Sequence, residues 1–510
     1  MSSPAASDQK GLKKDAISFI SNVVVGVAST APAYSLAATL GFVTLVGGVG
    51  LGAPAIMLVA FIPMLFIALA YNYMNRADPD CGTTFTWVTR AMGPSMGWLG
   101  GWAIVVADVI VMANLAQIAG IYTFRLFDWT SAVNSNLAIS IAGVIWIVVM
   151  TWICWRGIEL SARTQQFLLG MEFVTLVIFA VVALITVYVN HPITMVGKTA
   201  YHSVEPSLFW FNPFRLGVTG LVKGVLLAVF IYWGWDTCVT VNEETEDAGR
   251  APGRAAIVST LMLLAIYLVV STAAQAYGSP ALLSANANDI FGGGLAASVL
   301  GSPLDKLLII AVLTSASAST QTTILPTART TFSMARQKAF PAAFARIHQR
   351  YQTPDISTIV MGILSIVWFI AIINVSTNVL ADSITAIGFA IAFYYGLTGF
   401  ACAVYYRREL LKSAKNFFYI GVLPTLGGVM LGFIFVYAII QYQNPANTSS
   451  SPILGIGAPV VIGIGSLLLG VVLMLIARLS YTEFFSRKLE VADPAVLLDG
   501  YVSAAIEGRG

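Results

Sequence analysis

The sequence predicts an all-α membrane protein with twelve transmembrane helices, and two observations lead to that prediction. Of its 510 residues, 57% are hydrophobic and 10% are charged, whereas about 25% of the residues in an average soluble domain are charged. Apolar stretches of about 20 residues, the length of a helix that crosses a bilayer, recur from one end of the chain to the other. The composition therefore argues against a soluble enzyme and for a multi-pass protein in a lipid bilayer.

The expected spans are bounded by charged residues, prolines and glycines. They cover residues 17–46, 51–73, 95–121, 137–155, 166–189, 219–241, 255–277, 307–328, 357–375, 383–405, 418–442 and 453–477. Residues 17–477 are expected to form one membrane domain, flanked by short tails at 1–16 and 478–510. The long connections 190–218 and 278–306 could form short interfacial helices.

The distribution of basic residues predicts the orientation of the spans. With a cytoplasmic N-terminus, an even number of spans returns the C-terminus to the cytoplasm. Of 27 Lys and Arg residues, only Arg125, Lys198, Arg215 and Lys306 then face outward, and Lys223 lies within a span. This is the bias of the positive-inside rule. The net charge of +3 therefore needs no nucleic acid to explain it.

Several chemistries lack the residues they require. The four cysteines have no paired spacing, no Gly-rich loop ends in Gly-Lys-Ser/Thr, and the three histidines lie outside the expected spans. We therefore expect no metal site, no disulfide framework and no cofactor. A membrane enzyme is disfavoured for the same reason.

Four charged residues lie inside the expected spans: Asp108, Glu172, Lys223 and Asp236. Each costs about 2.5–3.5 kcal/mol at mid-membrane on insertion scales, so such a residue usually faces water, a partner or a ligand. We expect Glu172 and Asp236 to be functional and Lys223 to extend toward the outer surface. Asp108 either makes a hydrogen bond that holds two helices together or forms an additional polar site.

Two spans contain helix-breaking residues near their middle. The first has Gly26 to Pro32, where Pro32 suits the first turn of a new helix and Ser29 or Thr30 could cap it. The sixth has a glycine and an acid within 230–236. Because the two breaks lie five spans apart, and an odd number of spans inverts the second copy, we expect a five-plus-five inverted repeat with a central site.

Four stretches resemble the amino acid–polyamine–organocation (APC) transporters. They are Pro79 to Trp87 with Gly93, Gly97, Gly100, Gly101 and Trp102; Phe230 to Asp236 with Glu243 and Glu244; Ala328 and Arg329 with Ala335 to Pro341, Thr353 and Pro354; and Arg156 and Gly157 with Ser161, Ala162 and Arg163. In the first stretch, Thr83 and Phe85 replace a Gly and a Tyr of the family pattern. The order and spacing of the stretches cover roughly residues 16–410.

The resemblance implies the LeuT-type fold, with broken helices 1 and 6. The first repeat would span about 17–189, the second about 219–405, and two further helices 418–477. It also implies transport by alternating access, with substrate held between the broken segments. The implied substrate-binding residues are Gly26, Val27, Ala28, Ser29, Thr30, Phe230, Tyr232, Trp233, Gly234 and Asp236. Phe230 matches an aromatic gate, and 26–28 matches a run that binds a substrate carboxylate.

Helix dipoles allow more than one substrate class. The positive end of the second half of span one could hold a carboxylate, and the carbonyl end of the first half of span six could hold an ammonium, as a zwitterionic amino acid requires. However, Ala28 adds a methyl group, Trp233 narrows the pocket and Asp236 adds negative charge. A polyamine, ethanolamine-type amine or cationic amino acid, carried by a permease or exchanger, is therefore the alternative.

The coupling ion is also open between two candidates. By resemblance, Glu172 stands where some relatives have a proton-carrying lysine, and a carboxyl in a low-dielectric site suits reversible protonation. Ser319 and Thr320 could instead coordinate sodium together with carbonyls of span one. We expect a proton-coupled carrier in the cytoplasmic membrane. The alternatives are a sodium-coupled carrier and an amine sensor that does not transport.

Overall fold

The computed structural model describes residues 11–196, 198–375, 378–448 and 451–491. Most of the expected N-terminal tail (1–10) and most of the C-terminal tail (492–510) lie outside the described residues. Helices make up most of the described chain.

The first half of the chain contains ten α-helices and one β-hairpin among its described residues. The helices are α1 (Phe19–Ser29), α2 (Pro32–Leu45), α3 (Ala53–Ala77), α4 (Thr84–Met92), α5 (Pro94–Leu126), α6 (Thr130–Val133), α7 (Asn136–Arg156), α8 (Ile158–Asn190), α9 (Gly217–Ile231) and α10 (Thr237–Thr240), and the strands are β1 (Ile193–Val196) and β2 (Thr199–His202). Short 3₁₀ turns cover Gly50–Gly52, Leu208–Phe211, Pro213–Arg215 and Asn242–Glu244.

The second half continues with nine α-helices in its described part. They are α11 (Ala251–Ala285), α12 (Ala296–Leu300), α13 (Asp305–Arg336), α14 (Asp355–Val375), α15 (Val379–Tyr405), α16 (Ala414–Asn416), α17 (Leu423–Tyr442), α18 (Ala458–Ser480) and α19 (Thr482–Phe485). Phe291–Leu295 and Phe417–Val422 are π-helical, and 3₁₀ turns cover Ala342–Ala345, Leu410–Lys412 and Pro445–Asn447. Helix α11 is kinked at Ser279, just before Pro280.

Eleven helical segments in the described part of the chain are long and apolar enough to cross a membrane. Eleven of the twelve expected spans correspond to these segments. The exception is the sixth, at 219–241, because α9 has only 15 residues and ends in a non-helical turn. The number of long spans is therefore one lower than expected, and the shortfall lies at one of the two expected breaks.

Several helices are longer than their apolar stretches. Helix α8 begins at Ile158 rather than 166, and α13 ends at Arg336 rather than 328. Hydropathy detects only the part of a helix that is rich in apolar side chains, whereas backbone hydrogen bonding continues into polar turns. The expected span ends were therefore wrong by up to about two turns.

The connection at 190–218 differs from the expected interfacial helices. Strands β1 and β2 pair antiparallel, with Ile193 opposite His202 and Val196 opposite Thr199. Among the described residues between α8 and α9, two 3₁₀ turns between 208 and 215 are the helical part. The β-branched residues Ile193, Thr194, Val196 and Thr199 favour strands, so the all-α prediction needs this small correction.

The helices divide into a buried centre and an apolar exterior. Helix α5 packs against α13 and α15 at the centre, and α3 packs against α11. In contrast, α14, α17 and α18 expose large apolar side chains such as Ile363, Val429 and Leu468. Because a monomeric soluble protein rarely exposes large contiguous apolar patches, these outer faces are typical of an integral membrane protein.

Candidate functional site

The first expected break is present between α1 and α2. Helix α1 ends at Ser29, Ala31 adopts a left-handed conformation (φ 48°), and α2 starts with Pro32 as its first residue. The expected cap was wrong, because no side chain of Ser29 or Thr30 bonds to the start of α2. The Thr30 hydroxyl instead donates back to the Val27 carbonyl at 2.7 Å.

The second expected break follows α9. Residues 232–236 form a non-helical turn in which Gly234 has φ +115°. A Cβ atom added to Gly234 would lie 2.8 Å from the carbonyl oxygen of Ser29. The turn needs glycine both for its backbone conformation and for this close approach. The two breaks also meet through the hydroxyls of Ser29 and Thr237, 2.8 Å apart.

A small cavity lies where the two breaks meet helices α5, α13 and α15. Its lining residues are Ser29, Ile104, Asp108, Trp233, Gly234, Asp236, Thr237, Thr323, Pro326 and Tyr394. Its volume of about 10 Å³ holds at most about one water molecule. A larger ligand therefore requires the surrounding helices to separate.

Asp236 is held at the cavity by two tyrosines of α15. Its side chain accepts hydrogen bonds from the Tyr395 hydroxyl at 2.8 Å and the Tyr394 hydroxyl at 3.1 Å. The indole N–H of Trp233 donates to the Tyr394 hydroxyl. The residue is only 4% exposed, so these neutral donors replace water around the carboxylate.

Asp108 is the second acid of the cavity, and it is 2% exposed. The hydroxyl of Thr327 on α13 donates to it. Asp108 therefore makes a hydrogen bond to a neighbouring helix and also lines the cavity. No Lys, Arg or His lines the cavity, and neither acid forms an ion pair with any residue in the described ranges.

Two other expected binding residues, Phe230 and Tyr232, pack against aromatic side chains of neighbouring helices. Phe230 packs edge to face against Tyr34 of α2, with ring centroids 6.4 Å apart. Tyr232 packs against Phe61 and Tyr267 instead of lining the cavity. Its expected part in substrate binding stays a prediction.

The expected carboxylate-binding run Gly26, Val27 and Ala28 lies in the last turn of α1, just before the break. A Cβ on Gly26 would lie 2.7 Å from the Ser259 hydroxyl and 3.2 Å from the Trp235 carbonyl oxygen, so this glycine permits helix packing. None of the three residues lines the cavity.

Glu172 occupies the start of α2. Its Oε1 accepts hydrogen bonds from the backbone N–H of Ala33 at 2.6 Å and from the Ser315 hydroxyl at 2.9 Å. The N–H of Tyr34 donates to the Ser315 hydroxyl at 3.2 Å, and Pro32 has no N–H. The helix start that was expected to hold a substrate carboxylate is therefore already occupied by a carboxylate of the chain.

The two hydroxyls expected to bind sodium have different partners. The Ser319 hydroxyl donates to the Ser29 carbonyl at 2.8 Å, which joins α13 to the end of α1. The Thr320 hydroxyl donates to the Ala316 carbonyl of its own helix at 2.9 Å. The structure therefore brings Ser319, but not Thr320, into contact with the first break.

Several residues of the site were not predicted from the sequence. Tyr394 and Tyr395 bind Asp236, Thr327 binds Asp108, and Ile104, Thr237, Thr323 and Pro326 complete the lining. Two consecutive tyrosines in the middle of an apolar span were a usable signal, because a buried tyrosine hydroxyl needs a hydrogen-bond partner. The sequence contains no comparable signal for Ile104.

Contacts near the end of α13 close one end of the helix bundle. Arg329 and Glu244 form a buried ion pair with 2.6 Å between Nε and Oε2. Next to it, the backbone N–H of Cys81 donates to Glu243 at 2.8 Å. The N-terminal segment covers this region, since Leu12 packs against Cys81 and Phe332 and the N–H of Ile17 donates to the Glu244 carbonyl.

The opposite end is closed by the segment after α11. Asp289 lies 2.9 Å from a guanidinium nitrogen of Arg125 and accepts a hydrogen bond from Tyr122. The N–H of Ile290 donates to the Ala37 carbonyl of α2 at 3.0 Å. Burial raises the pKa of Asp289 above its usual range, although Arg125 opposes this shift. These contacts close the second end of the bundle.

Comparisons with known proteins agree with this architecture. The low-affinity putrescine importer PlaP of Escherichia coli (strain K12) is 22% identical over 378 residues, 74% of this chain and 79% of the importer. The branched-chain amino acid permease BcaP of Bacillus subtilis (strain 168) is 22% identical over 62% of this chain and 66% of its own length. Human Asc-type amino acid transporter 1 is 24% identical over 69% of this chain and 64% of its own length.

These relatives are transporters and not enzymes, and the long apolar helices make the chain an integral, multi-pass membrane protein. The family model described as amino acid permease matches residues 14–467, which is nearly the whole chain. The chain therefore belongs to the amino acid permease family of the APC superfamily.

Proposed function

We propose that this protein is a secondary active transporter that moves a small amine across the cytoplasmic membrane by alternating access. The single observation that carries the proposal is the cavity with two buried acids, Asp108 and Asp236, and no basic residue in its lining. Uncompensated charges at this depth are costly, and a protonated amine supplies the missing positive charge. The putrescine importer among the relatives transports such a molecule.

We infer that the architecture behind this activity is the five-plus-five inverted repeat. The first repeat covers about 17–189 and the second about 219–405, with further helices at 418–477. The sixth span is completed by α9, the turn at 232–236 and the segment after it, which gives twelve spans. The basic residues of the connections support cytoplasmic N- and C-termini. The contact between the two breaks supports this inference, because an inverted repeat forms its central site where its two broken helices meet.

The start of α2 favours an amine over a zwitterionic amino acid. Its donors at Ala33 and Tyr34 are used by Glu172 and Ser315, so the helix start offers no obvious donor to a second carboxylate. An amino acid remains the second candidate, because two of the three relatives described above are named amino acid carriers.

Ligand binding and uptake by the purified full-length protein test the substrate class. We expect putrescine or ethanolamine, but not leucine, to raise the melting temperature and to accumulate in proteoliposomes. Asp236→Asn and Asp108→Asn should each weaken amine binding at least roughly tenfold, a loss of about 1.4 kcal/mol. Glu159→Gln is the matched control, because Glu159 is exposed and paired with Lys13 away from the cavity. Leucine binding without amine binding would overturn the amine proposal.

Two substitutions at Glu172 test why a carboxylate is excluded. Glu172→Ala removes the acceptor at the Ala33 N–H, so we expect the variant to gain affinity for α-amino acids. Glu172→Gln keeps an acceptor oxygen at the same place, so the exclusion should persist. If neither variant binds an amino acid, the occupied helix start does not determine the specificity.

We infer proton coupling through Glu172, whose second oxygen, Oε2, has no hydrogen-bond partner among the described residues. Uptake should then grow with an inward proton gradient, and Glu172→Gln should abolish this dependence while amine binding persists. Uptake that follows a sodium gradient and is lost in Ser319→Ala would favour the sodium alternative. Ligand stabilisation with no accumulation under either gradient would instead favour a sensor.

A further inference from the structure

A second cavity lies on the outer side of the helices that form the substrate cavity. It has a volume of about 370 Å³ and lies between α5, α13, α14 and α18. Residues 102–110 of α5, 327–334 of α13 and 357–371 of α14 contribute most of its wall, together with Phe340, Phe344, Ser466 and Leu469. All but four of the lining residues (Thr327, Thr331, Ser357 and Ser466) have hydrophobic side chains, so the cavity suits a hydrocarbon ligand.

The cavity opens sideways from the bundle. Its floor contains Ile110 and Met361, which are buried, whereas Leu364, Val367 and Leu469 at its rim are exposed. These positions fall within the apolar helices that are long enough to cross the membrane. The medium at the opening is therefore the hydrocarbon of the bilayer, and water is excluded from it.

One end of the cavity reaches a basic segment. Phe340 and Phe344 line the cavity and belong to the connection 337–354, which contains Lys338, Arg346 and Arg350 but no Asp or Glu. Arg346 uses Nε and Nη2 to bind Asp355, and its Nη1 bonds to no described residue. Lys338 is paired with Glu483, so a phosphate at this end would meet the positive charge of the exposed Arg350 and the remaining N–H groups of Arg346.

We propose that this groove binds one acyl chain of an anionic phospholipid, whose headgroup lies at the basic connection 337–354. The occupant follows from the apolar lining, the lateral opening into hydrocarbon and the positive charge at one end. A soluble ligand would have no route to this depth. The positive charge would attract a zwitterionic lipid less strongly than an anionic one.

The groove is separated from the substrate cavity by one layer of helix. On α5, Ile104 and Asp108 face the substrate cavity while Val105, Val106 and Val109 face the groove. On α13, Thr327 lines the groove, and its hydroxyl donates to Asp108. A bound acyl chain therefore packs against Thr327, which positions Asp108. Loss of the acyl chain should then also weaken ligand binding in the substrate cavity.

Groove-filling substitutions test the proposal in the purified full-length protein. Ala371 is exposed and lines the groove, so Ala371→Trp fills the space without overpacking the core. Ile370→Trp is the matched control, because Ile370 is the exposed neighbour that does not line the groove. By native mass spectrometry, the wild type and Ile370→Trp should retain one phospholipid per chain, and Ala371→Trp should retain none.

Added lipid provides a second readout. Phosphatidylglycerol should raise the melting temperature of the wild type and Ile370→Trp by several degrees, whereas phosphatidylcholine should give a smaller rise. Ala371→Trp should respond to neither, and Arg346→Gln should lose the preference for phosphatidylglycerol. Equal lipid retention by Ala371→Trp and the wild type would overturn the proposal. A wild-type dimer that Ala371→Trp converts to a monomer would also overturn it, because the groove would then bind a second copy of the chain.

Discussion

The guanidinium of Arg329 and the carboxylate of Glu244 form an ion pair that is almost completely buried, with side chains 2% and 1% exposed. Arg329 lies near the end of α13, and Glu244 lies in the 3₁₀ turn that follows the second break. The Glu244 carbonyl also accepts the N–H groups of Ala16 and Ile17. This pair therefore joins three separate parts of the chain at one closed end of the bundle.

Removal of one partner of this pair should destabilise the protein strongly. Arg329→Gln leaves the Glu244 carboxylate buried without a counter-charge, and such a loss typically costs about 3–5 kcal/mol. Chemical unfolding in detergent measures the change. Lys338→Gln is the control, because the Lys338–Glu483 pair is more than half exposed and such pairs contribute about 0–1 kcal/mol. Equal losses in the two variants would contradict a structural role for the buried pair.

The positions of the breaks could be predicted from the sequence because they depend on local chemistry. Pro32 has no N–H and favours the first turn of a helix, and Gly234 accepts a positive φ that other residues avoid. Both effects act within a few residues of the chain. That the chain is a membrane protein could also be predicted, since this follows from composition alone.

The partners of the charged residues could not be predicted in this way. Glu172 reaches the N–H of Ala33 across 139 positions of sequence, and Tyr395 reaches Asp236 across 159. These contacts depend on the rotation and register of packed helices, and the apolar spans provide little information about either because most of their faces are hydrophobic. The sequence identified the acids but not what they bind.

The close approach of Gly234 to Ser29 should make Gly234→Ala damaging. A methyl group would lie 2.8 Å from the Ser29 carbonyl oxygen, in a backbone conformation with φ +115°. Strain of this kind costs about 1–3 kcal/mol, so we expect a lower melting temperature and loss of ligand binding. Gly432→Ala is the control, since its added Cβ has no neighbour within 4 Å and should stabilise α17 slightly. Wild-type behaviour of Gly234→Ala would show that the two breaks separate at no cost.

Loss of the Tyr395 hydroxyl should weaken amine binding while the ring packing stays intact. Tyr395→Phe keeps the ring contacts with Trp235 and Tyr71 but removes the donor to Asp236 at 2.8 Å. A hydrogen bond to a charged group contributes about 1.5–3 kcal/mol, so calorimetry should show at least roughly tenfold weaker binding. Tyr406→Phe is the control, because that hydroxyl donates to the Tyr73 carbonyl away from the cavity. Unchanged affinity in Tyr395→Phe would show that the Tyr395 hydroxyl does not position Asp236 for the ammonium.

The raised pKa of Asp289 predicts how closure near Arg125 depends on pH. Burial raises this pKa in the closed conformation, so the closed conformation binds a proton more readily than an open one in which Asp289 is hydrated. Lowering the pH through the raised pKa should therefore stabilise closure, and raising the pH should favour opening. Hydrogen exchange of residues 286–300, corrected for the intrinsic pH dependence of exchange, should show greater protection at acidic pH. Asp289→Asn should remove this dependence, while Asp128→Asn, at an acid that is 79% exposed, should retain it. Protection that increases with pH would mean that the attraction to Arg125 outweighs the cost of burying the carboxylate.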